Sequence, residues 1–390
     1  MTSAAAPATA AEALERVDAL RDTLLAGGEA ADRMASFPHK GIDALKESRL
    51  LCAAIPAEYG GAGLAAPGLA ELAMRIGRCC GSTGMIWAMH QLQLACLVPS
   101  AATRPVLADY LRRAAAEQHL VASVTSEVGI GGNLRMSRAA LVQAGEDHLL
   151  EKHATTVSYG EQADSLLVTA RRDDQAAADD QVLVLVLAEQ ARLRRTGPWN
   201  TLGMRGTCSS PQHLQAVVPR GQVLAEPFSA IAARVMVPLS HILWAAVWTG
   251  IATDAFRRAV AFSQAKAKTG RRGSTFVPDS RLGRMHAVLT MLRAEVRGLA
   301  VEFADSRAAG GPPRDLTVPA NALKVSASEE SVRVAALALE VCGMAGYSEE
   351  GDFSVARHLR DLYSGRIMIA NDKLNAVNTE LLLTGEDFLD

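Results

Sequence analysis

The chain has 390 residues, 49% of them hydrophobic, which is enough apolar material for about two or three packed domains. Forty basic and 42 acidic residues leave a formal net charge of −2, and aromatic residues make up only 4% of the chain. This composition excludes nucleic-acid and polybasic membrane binders, which depend on clustered positive charge or on aromatic stacking. The six cysteines form no C-x-x-C pair, so no zinc site, and no other metal site, is predicted. A reduced, cytoplasmic protein is expected.

The first part of the chain repeats its apolar residues with the period of a helix. Helices are predicted over 10–35, 39–50, 68–80, 83–97 and 102–116. Pro56 and the Gly60–Gly61 pair mark a turn between two of them. The first ten residues lack the basic start and the leucine-rich stretch of a signal peptide. These features predict an N-terminal helical domain over residues 1–118.

From residue 119 the pattern changes to short runs rich in Val and Leu, bounded by Gly, Pro, Asp or Arg. Strands are predicted over 120–125, 164–170, 182–187 and 214–218. The charged stretch 171–181 between two of these strands is interpreted as a solvated loop. A middle β domain over residues 119–227 follows from this pattern.

The helical period returns after the middle domain. Apolar residues recur at spacings of three and four from Leu282 to Phe303, and further helices are predicted over 236–268, 317–342 and 354–384. The most apolar window, 235–252, is interrupted by polar residues, which favours a helix buried on all sides over a membrane span. Long helices of nearly equal length bury their stripes against one another, so a helical bundle over 228–390 is predicted. The fold class is thus mostly α with a central β domain.

Four short stretches carry a resemblance to a known family. They are AIPAEYGGAG at Ala54–Gly63, TSEVGIGGN at Thr125–Asn133, WNTLGMRGTCS at Trp199–Ser209 and EVCGMAGYSEEGDFSVARHLRD at Glu340–Asp361. In this order and at these separations they resemble the acyl-CoA dehydrogenase superfamily of flavoproteins, over roughly residues 10–385. The resemblance implies an N-terminal helical domain, a β-barrel-like middle domain and a C-terminal four-helix bundle. It also implies FAD as cofactor, FMN being less expected, and a homotetramer.

The stretch TSEVGIGGN is the first candidate flavin segment. Three glycines after a strand let backbone N–H groups approach a ligand closely, although an ordinary β-turn is the alternative. The resemblance implies that Thr125, Ser126, Gly131 and Gly132 contact the flavin. Ser126 stands where the family has a Thr that hydrogen-bonds the pyrimidine edge of the ring. Gly132 and Asn133 replace the usual Ser and Asp, so fewer side-chain contacts are expected there.

A second candidate flavin segment is LLEKHATTVSYG, residues 149–160. The resemblance aligns Thr156 with a Trp that lies beside the flavin, and Ser158 with a Thr whose hydroxyl lies at the flavin N5. A hydroxyl at that position can stabilise a reduced flavin or donate a hydrogen bond during oxygen chemistry. A solvated serine at a strand end is the alternative interpretation of Ser158.

Contacts to the pyrophosphate and adenosine are implied further along the chain. Lys266 occupies the Arg position of a signature whose Arg contacts the flavin pyrophosphate across a dimer interface. Lysine keeps the charge but loses the planar fork, which Arg271 could supply. The turn GMAGY is predicted to break a helix with Gly343 and Gly346 in left-handed conformations. A solvated basic patch and a plain helix–turn–helix are the respective alternatives.

The chain departs from the family at the catalytic base. Dehydrogenation of an acyl thioester requires a base for the α proton. The family places a Glu either about eight residues after the Arg-Asp pair or about ten before a Gly-Ile-Ala, and these positions hold Ile369 and Ser240. His241, where many members have an Arg for the pantetheine arm, and Asn371 and Asp372 are the remaining candidate catalytic residues. A buried structural histidine and a surface carboxylate are the alternatives.

Three functions remain open. Family frequency predicts an oxidoreductase that acts on an acyl thioester, bound to CoA or a carrier protein, with a non-standard base and an electron-transfer partner. The missing Glu and Arg favour a flavin-dependent monooxygenase that uses reduced flavin from a separate reductase, O2 and a small organic substrate. The third possibility is a non-catalytic paralogue that serves as a binding or assembly subunit.

Overall fold

The computed structural model describes residues 5–269, 278–308 and 315–384. Its N-terminal part consists of α1 (Ala10–Ala19), α2 (Arg21–Met34), α3 (His39–Glu47), α4 (Ala66–Cys79), α5 (Gly81–Ala101) and α6 (Pro105–Glu117). The prediction of one helix over 10–35 is wrong at Leu20. Its N–H bonds to the Val17 carbonyl, three residues back, and this tighter turn ends α1 before α2 begins.

The centre of this part is α5, which is apolar around its whole circumference and buried along most of its length. The Trp87 indole N–H donates to the Leu50 carbonyl at 2.9 Å, so its one polar atom is satisfied inside the core. Cys80 caps the helix, because its Sγ accepts from the Thr83 N–H at 3.3 Å. Cys79 and Cys80 are buried with free thiols, as expected for apolar fillers rather than a redox pair.

The middle part contains two sheets. Its strands are β1 (Val121–Val124), β2 (Leu141–Ala144), β3 (Asp147–Ala154), β4 (Ser165–Arg171), β5 (Gln181–Leu187), β6 (Ala191–Arg195) and β7 (Gln212–Pro219). One sheet has the order β1-β4-β5, with β1 parallel to β4, and the other is antiparallel with the order β2-β3-β7-β6. The four predicted strands are confirmed. The sequence missed β2, β3 and β6, which have one solvent-exposed face and therefore lack a continuous apolar run.

The C-terminal part is a helical bundle. Its helices are α7 (Phe228–Ile231), α8 (Val237–Thr269), α9 (Ser280–Ala308), α10 (Thr317–Cys342), α11 (Met344–Tyr347), α12 (Ala356–Ile367) and α13 (Asn371–Leu383). A π-helical turn joins α7 to α8. The predicted apolar stripe of α9 is buried against its neighbours. The segment Phe228–Lys268 is long and apolar enough to span a membrane by length and composition, yet 72% of its most apolar window is buried inside the protein.

The prediction of one helix over 354–384 is wrong, because the chain leaves helical geometry between α12 and α13. Ile369 has a φ of +55°, a conformation that is strained for a β-branched residue. Its carbonyl accepts a hydrogen bond from the buried ammonium group of Lys324 on α10. The break lies at the position where the family carries its base, so this tertiary contact shapes the candidate site.

Candidate functional site

Ser158 lies just after β3, at the end of a row of hydroxyl groups. Ser209 Oγ donates to Ser158 Oγ at 2.8 Å, and Thr207 Oγ1 lies 2.8 Å from both Ser209 Oγ and the Met204 carbonyl oxygen. Thr207 and Ser209 are buried and Ser158 is half-buried. Because Ser158 accepts a hydrogen bond from Ser209, its own proton is available to a ligand. The sequence pointed to Ser158 but missed the two hydroxyl groups behind it.

Ser126 and Thr156 bond to each other where their two segments meet. The Ser126 hydroxyl donates to the Thr156 carbonyl at 2.7 Å and accepts from the Thr156 N–H at 3.0 Å. This exchange uses the hydroxyl proton of Ser126. The remaining lone pair can accept a hydrogen bond from a ligand N–H, which is compatible with the predicted contact to a pyrimidine edge. Thr125 is half-buried beside it.

Gly131 and Gly132 form an open turn after β1. Both have positive φ, +60° and +73°, and a Cβ on either would meet no atom within 4 Å. Within the residues that the structure describes, neither N–H donates a hydrogen bond. Free N–H groups on an open glycine turn suit a ligand that accepts hydrogen bonds. Lys373 on α13 donates to the Gly131 carbonyl at 3.0 Å, which links this turn to the C-terminal bundle.

A buried ion pair anchors the same segment. The Glu127 carboxylate accepts from the Ala139 N–H at 2.7 Å and from Ser137 Oγ at 2.8 Å, and Lys152 Nζ lies 3.5 Å away. Lys152 also donates to the carbonyl and hydroxyl oxygens of Thr169. Burial lowers the pKa of Lys152 to about 8, and the charge of Glu127 opposes this lowering. The sequence analysis missed both residues, since a Glu and a Lys 25 positions apart carry no local signal.

His241 is fully buried in the first turns of α8. Burial, with a smaller contribution from the positive charge of Lys324, lowers its pKa to about 3, and the backbone of Ala320 opposes the shift. In the described parts of the chain neither ring nitrogen has a hydrogen-bond partner of good geometry, and the indole nitrogens of Trp244 and Trp248 also lack one. His241 is therefore neutral at physiological pH. This environment favours an uncharged hydrogen-bonding role over the titrating role considered from the sequence.

Lys324 is a charged group that contacts Ile369, the residue at one of the family's two base positions. Its fully buried Nζ donates to the Ile369 carbonyl and to Asn371 Oδ1, each at 2.6 Å. It also lies 5.9 Å from the centre of the Trp248 ring. Asn371 Nδ2 in turn donates to Glu329 at 3.0 Å. The sequence analysis named Asn371 but missed Lys324, whose contact comes from a different helix.

The other predicted catalytic groups are separate from this cluster. Asp372 is exposed in the first turn of α13, and its side chain makes no hydrogen bond or ion pair with any described residue. Ser240 is buried and donates to the Val237 carbonyl at 2.8 Å, within its own helix. Asp372 thus has the environment of a surface carboxylate. No hydrogen bond among the described residues joins Ser158 to either residue.

The predicted pyrophosphate and adenosine contacts involve the end of α8 and the turn after α10. Lys266 is exposed near the end of α8, and Arg271 lies outside the described residues. Gly343 ends α10 with a φ of +57°, as predicted. The prediction of a left-handed Gly346 is wrong: this residue lies inside α11, where glycine is required because a Cβ would lie 2.6 Å from the Cβ of Cys342.

The segment Trp199–Ser209 packs against α12. Asp361 Oδ1 accepts from the Met204 N–H at 2.6 Å, and a Cβ on Gly203 would overlap the Arg360 backbone. Burial raises the pKa of Asp361 to about 6, and the charge of Arg357 opposes the shift. This contact holds the loop that bears Thr207 and Ser209 against the bundle, and so positions the hydroxyl row.

Two family models match the chain. "Acyl-CoA dehydrogenase, N-terminal domain" matches residues 8–118, and "Acyl-CoA dehydrogenase, C-terminal domain" matches residues 233–369. The chain belongs to the acyl-CoA dehydrogenase family. The resemblance inferred from the four motifs is thereby confirmed. So is the fold class, a mostly helical chain with a middle sheet domain.

Relatives within the acyl-CoA dehydrogenase family differ in activity. The chain is 25% identical over 354 residues to the amino sugar nitrososynthase DnmZ of Streptomyces peucetius, covering 86% of this chain and 84% of that protein. It is 24% identical to cyclohex-1-ene-1-carbonyl-CoA dehydrogenase of Syntrophus aciditrophicus, covering 89% and 83%. The FMN-bound structure of TdsC from Paenibacillus sp. A11-2 superposes with a TM-score of 0.84 at 21% identity, covering 96% and 98% of the two chains. The names of these relatives thus include a nitrososynthase, an acyl-CoA dehydrogenase and, for TdsC, a dibenzothiophene monooxygenase.

The residues at the candidate site fit a flavin. Its polar ring edge needs hydrogen-bonding groups, which the hydroxyl groups of Ser126 and Ser158 supply. Its phosphates need N–H donors, and Gly131 and Gly132 present free N–H groups on an open turn. These four residues are compatible with the hydrogen-bonding needs of a flavin ring and its phosphates.

Proposed function

We propose that this protein is a flavin-dependent monooxygenase that acts on a small organic substrate, with reduced flavin delivered by a separate reductase. The observation that carries the proposal is that neither of the two positions where the family has its catalytic Glu holds a base in this chain. Ile369 cannot accept a proton, and Ser240 spends its hydroxyl proton on the Val237 carbonyl. An enzyme that inserts oxygen does not need to remove an α proton, so this set is compatible with oxygenation and unfavourable for thioester dehydrogenation.

The hydroxyl row supports the same proposal. A bound reduced flavin with O2 would supply one oxygen atom to the substrate, while the two electrons of the flavin would reduce the second oxygen atom to water. Ser158 can hold a proton close to that chemistry, and Ser209 behind it keeps its oxygen oriented. A donor that is already oriented before reaction stabilises developing negative charge without reorganisation.

Lys324 orders the chain at the family's base position. Lys324 holds the backbone of Ile369 and the side chain of Asn371, so it positions the loop that closes this end of the site. His241 stays neutral chiefly because it is buried, and the positive charge of Lys324 adds to this effect. These residues bind and orient, and none of them is assigned a proton-transfer step.

The identity of the flavin is part of the proposal. FAD remains the prediction from sequence, and its adenosine half would need Lys266 and the GMAGY turn. TdsC holds FMN, and the contacts argued above involve the ring and the first phosphate only. Chromatography of the flavin released from the purified protein distinguishes the two.

Dehydrogenation of an acyl thioester is the second candidate. The match to a cyclohex-1-ene-1-carbonyl-CoA dehydrogenase over 89% of the chain favours it. It would require a base that the two usual positions do not supply, with an electron-transfer flavoprotein as the natural acceptor. This chain has His241 where many family members have an Arg that binds the pantetheine arm. Binding of a CoA thioester would therefore be weaker, as the sequence already indicated.

One pair of measurements separates these functions. Anaerobic titration of the flavin-loaded protein with short, branched and cyclic acyl-CoA thioesters should leave the oxidised flavin spectrum unchanged. With NAD(P)H, a flavin reductase and O2, an amino sugar nucleotide and an aromatic heterocycle should be tested for a product that carries one atom from labelled O2. Bleaching of the flavin by a thioester would overturn the proposal in favour of dehydrogenation. A protein that retains no flavin and forms no product would overturn both and favour a binding subunit.

A further inference from the structure

A cluster of two histidines and a glutamate lies on the outer face of the second sheet. His153 on β3 is the register partner of His213 on β7, and Glu151 precedes His153 by two residues on the same face of β3. The two histidines are 60 positions apart in the chain, which is why no metal site is predicted from sequence spacing. Strand pairing alone brings them together.

The geometry of this cluster brings three ligand atoms close. His213 Nε2 lies 2.7 Å and His153 Nε2 lies 4.0 Å from Glu151 Oε1, and all three ligand atoms lie within 4.8 Å of one another. The two imidazole rings are stacked, with centroids 4.1 Å apart and an angle of 3° between their planes. The side chain of His153 is 60% exposed, so it can turn, whereas that of His213 is 12% exposed and held in place.

We propose that Glu151, His153 and His213 form a surface site for a divalent transition-metal ion, and that Zn²⁺ is the ion that fits it best. Two imidazole nitrogens and a carboxylate oxygen are the ligand types that Zn²⁺ prefers among borderline ions, with water completing a tetrahedron. In the stacked arrangement the nitrogen lone pairs of the two rings run parallel and do not converge on one point. The exposed ring of His153 therefore has to rotate before both rings can bind the same ion. No other atom has to move far, because the sheet already sets the separation of the strands.

The neighbouring charges set the conditions for binding. Arg194 on β6 is in register with His213, and Arg192 with Gln215, so both arginines share this face and their positive charges oppose the binding of a cation. Gln215 Nε2 also lies 3.4 Å from Glu151 Oε1 and competes for the carboxylate. Binding requires that both imidazoles are neutral.

Metal binding would cross-link two strands next to the candidate flavin segment. The His153 carbonyl accepts from the Val128 N–H at 2.9 Å, so His153 belongs both to the cluster and to the edge of that segment. An ion held by β3 and β7 would stiffen this edge and raise the thermal stability of the folded chain.

The test is a competition titration of the tag-free, full-length protein with Zn²⁺ against a chromophoric chelator at pH 7.5, followed by the visible spectrum with Co²⁺. One ion should bind per chain, and H153A and H213A should each weaken binding by at least about tenfold. The matched control is H148A, which removes a histidine from the inward-facing side of the same strand. It should bind as the unchanged protein does. Equal binding by H153A, H213A and the unchanged protein, or an equal loss in H148A, would overturn the proposal.

Discussion

Replacement of Lys324 by Met tests how the segment at Ile369, between α12 and α13, is held in place. The substitution removes a buried cation and the hydrogen bonds that it donates to the Ile369 carbonyl and to Asn371 Oδ1, at a cost of about 1–3 kcal/mol for each. Asn371 Oδ1 keeps the longer hydrogen bond from Ser328 Oγ at 3.3 Å. Burial lowers the pKa of Lys324 from 10.5 to about 8, which corresponds to about 3 kcal/mol of unfavourable charge burial at neutral pH. Met carries no charge, so K324M does not incur the cost of burying one. The two effects nearly offset each other, so K324M should remain folded at pH 7 with a stability within about 3 kcal/mol of the unchanged protein.

The pH dependence gives a sharper signature than the stability at one pH. Because the folded pKa of Lys324 lies below its unfolded value, the unfolded chain binds the proton more tightly. The free energy of unfolding should therefore rise between pH 8 and pH 10.5, by up to about 3 kcal/mol from this group. K324M should lack this contribution. Other lysines and tyrosines titrate in the same range, but they cancel in the difference between the two proteins.

Urea denaturation at pH 7.5 and pH 10 measures this difference. K40M, which removes an exposed lysine from α3, serves as the control and should follow the unchanged protein at both pH values. In addition, K324M should release the loop at Ile369 and weaken flavin binding or turnover, which K40M should not do. The reasoning fails if the unchanged protein and K324M show the same change in stability between the two pH values.

Three further predictions concern Ser158, Asp361 and Gly203. S158A should lower oxygen-dependent turnover by about a hundredfold while S158T retains most of it, measured as product formed per NAD(P)H consumed; equal rates would remove Ser158 from the site. Because the pKa of Asp361 is raised to about 6, its favourable contribution to the stability of the folded protein is complete below about pH 4 and is lost as the pH rises through about 6. D361N lacks this loss. Its stability, measured in urea titrations, should therefore gain on that of the unchanged protein by up to about 3 kcal/mol between pH 4 and pH 7. G203A should destabilise the protein by about 1–3 kcal/mol, because the added Cβ would overlap the backbone of Arg360. G298A, whose Cβ would meet open space on α9, should change the stability by less than about 1 kcal/mol. Identical melting curves for the two variants would contradict the packing of the Gly203 loop on α12.

Long periodic segments were predictable from the sequence because their signal is local. The helix predicted over 317–342 has those bounds in the structure, and the buried strands β4 and β5 follow from unbroken runs of apolar residues. The half-exposed strand β3 was missed, since its alternating polar residues weaken the apolar signal that a buried strand gives. The break at Ile369 was missed because a β-branched residue in a left-handed conformation is held there by a lysine from another helix.

The sequence by itself determined the family, the order of helical and sheet parts, and the absence of an acid at Ile369 and Ser240, because motif order and residue identity are properties of the chain. The tertiary structure decided which groups surround that position. Lys324 reaches Ile369 across the bundle, and Ser209 reaches Ser158 across 51 residues. Burial decided that His241 stays neutral, since desolvation depends on everything packed around a group and no sequence pattern reports it.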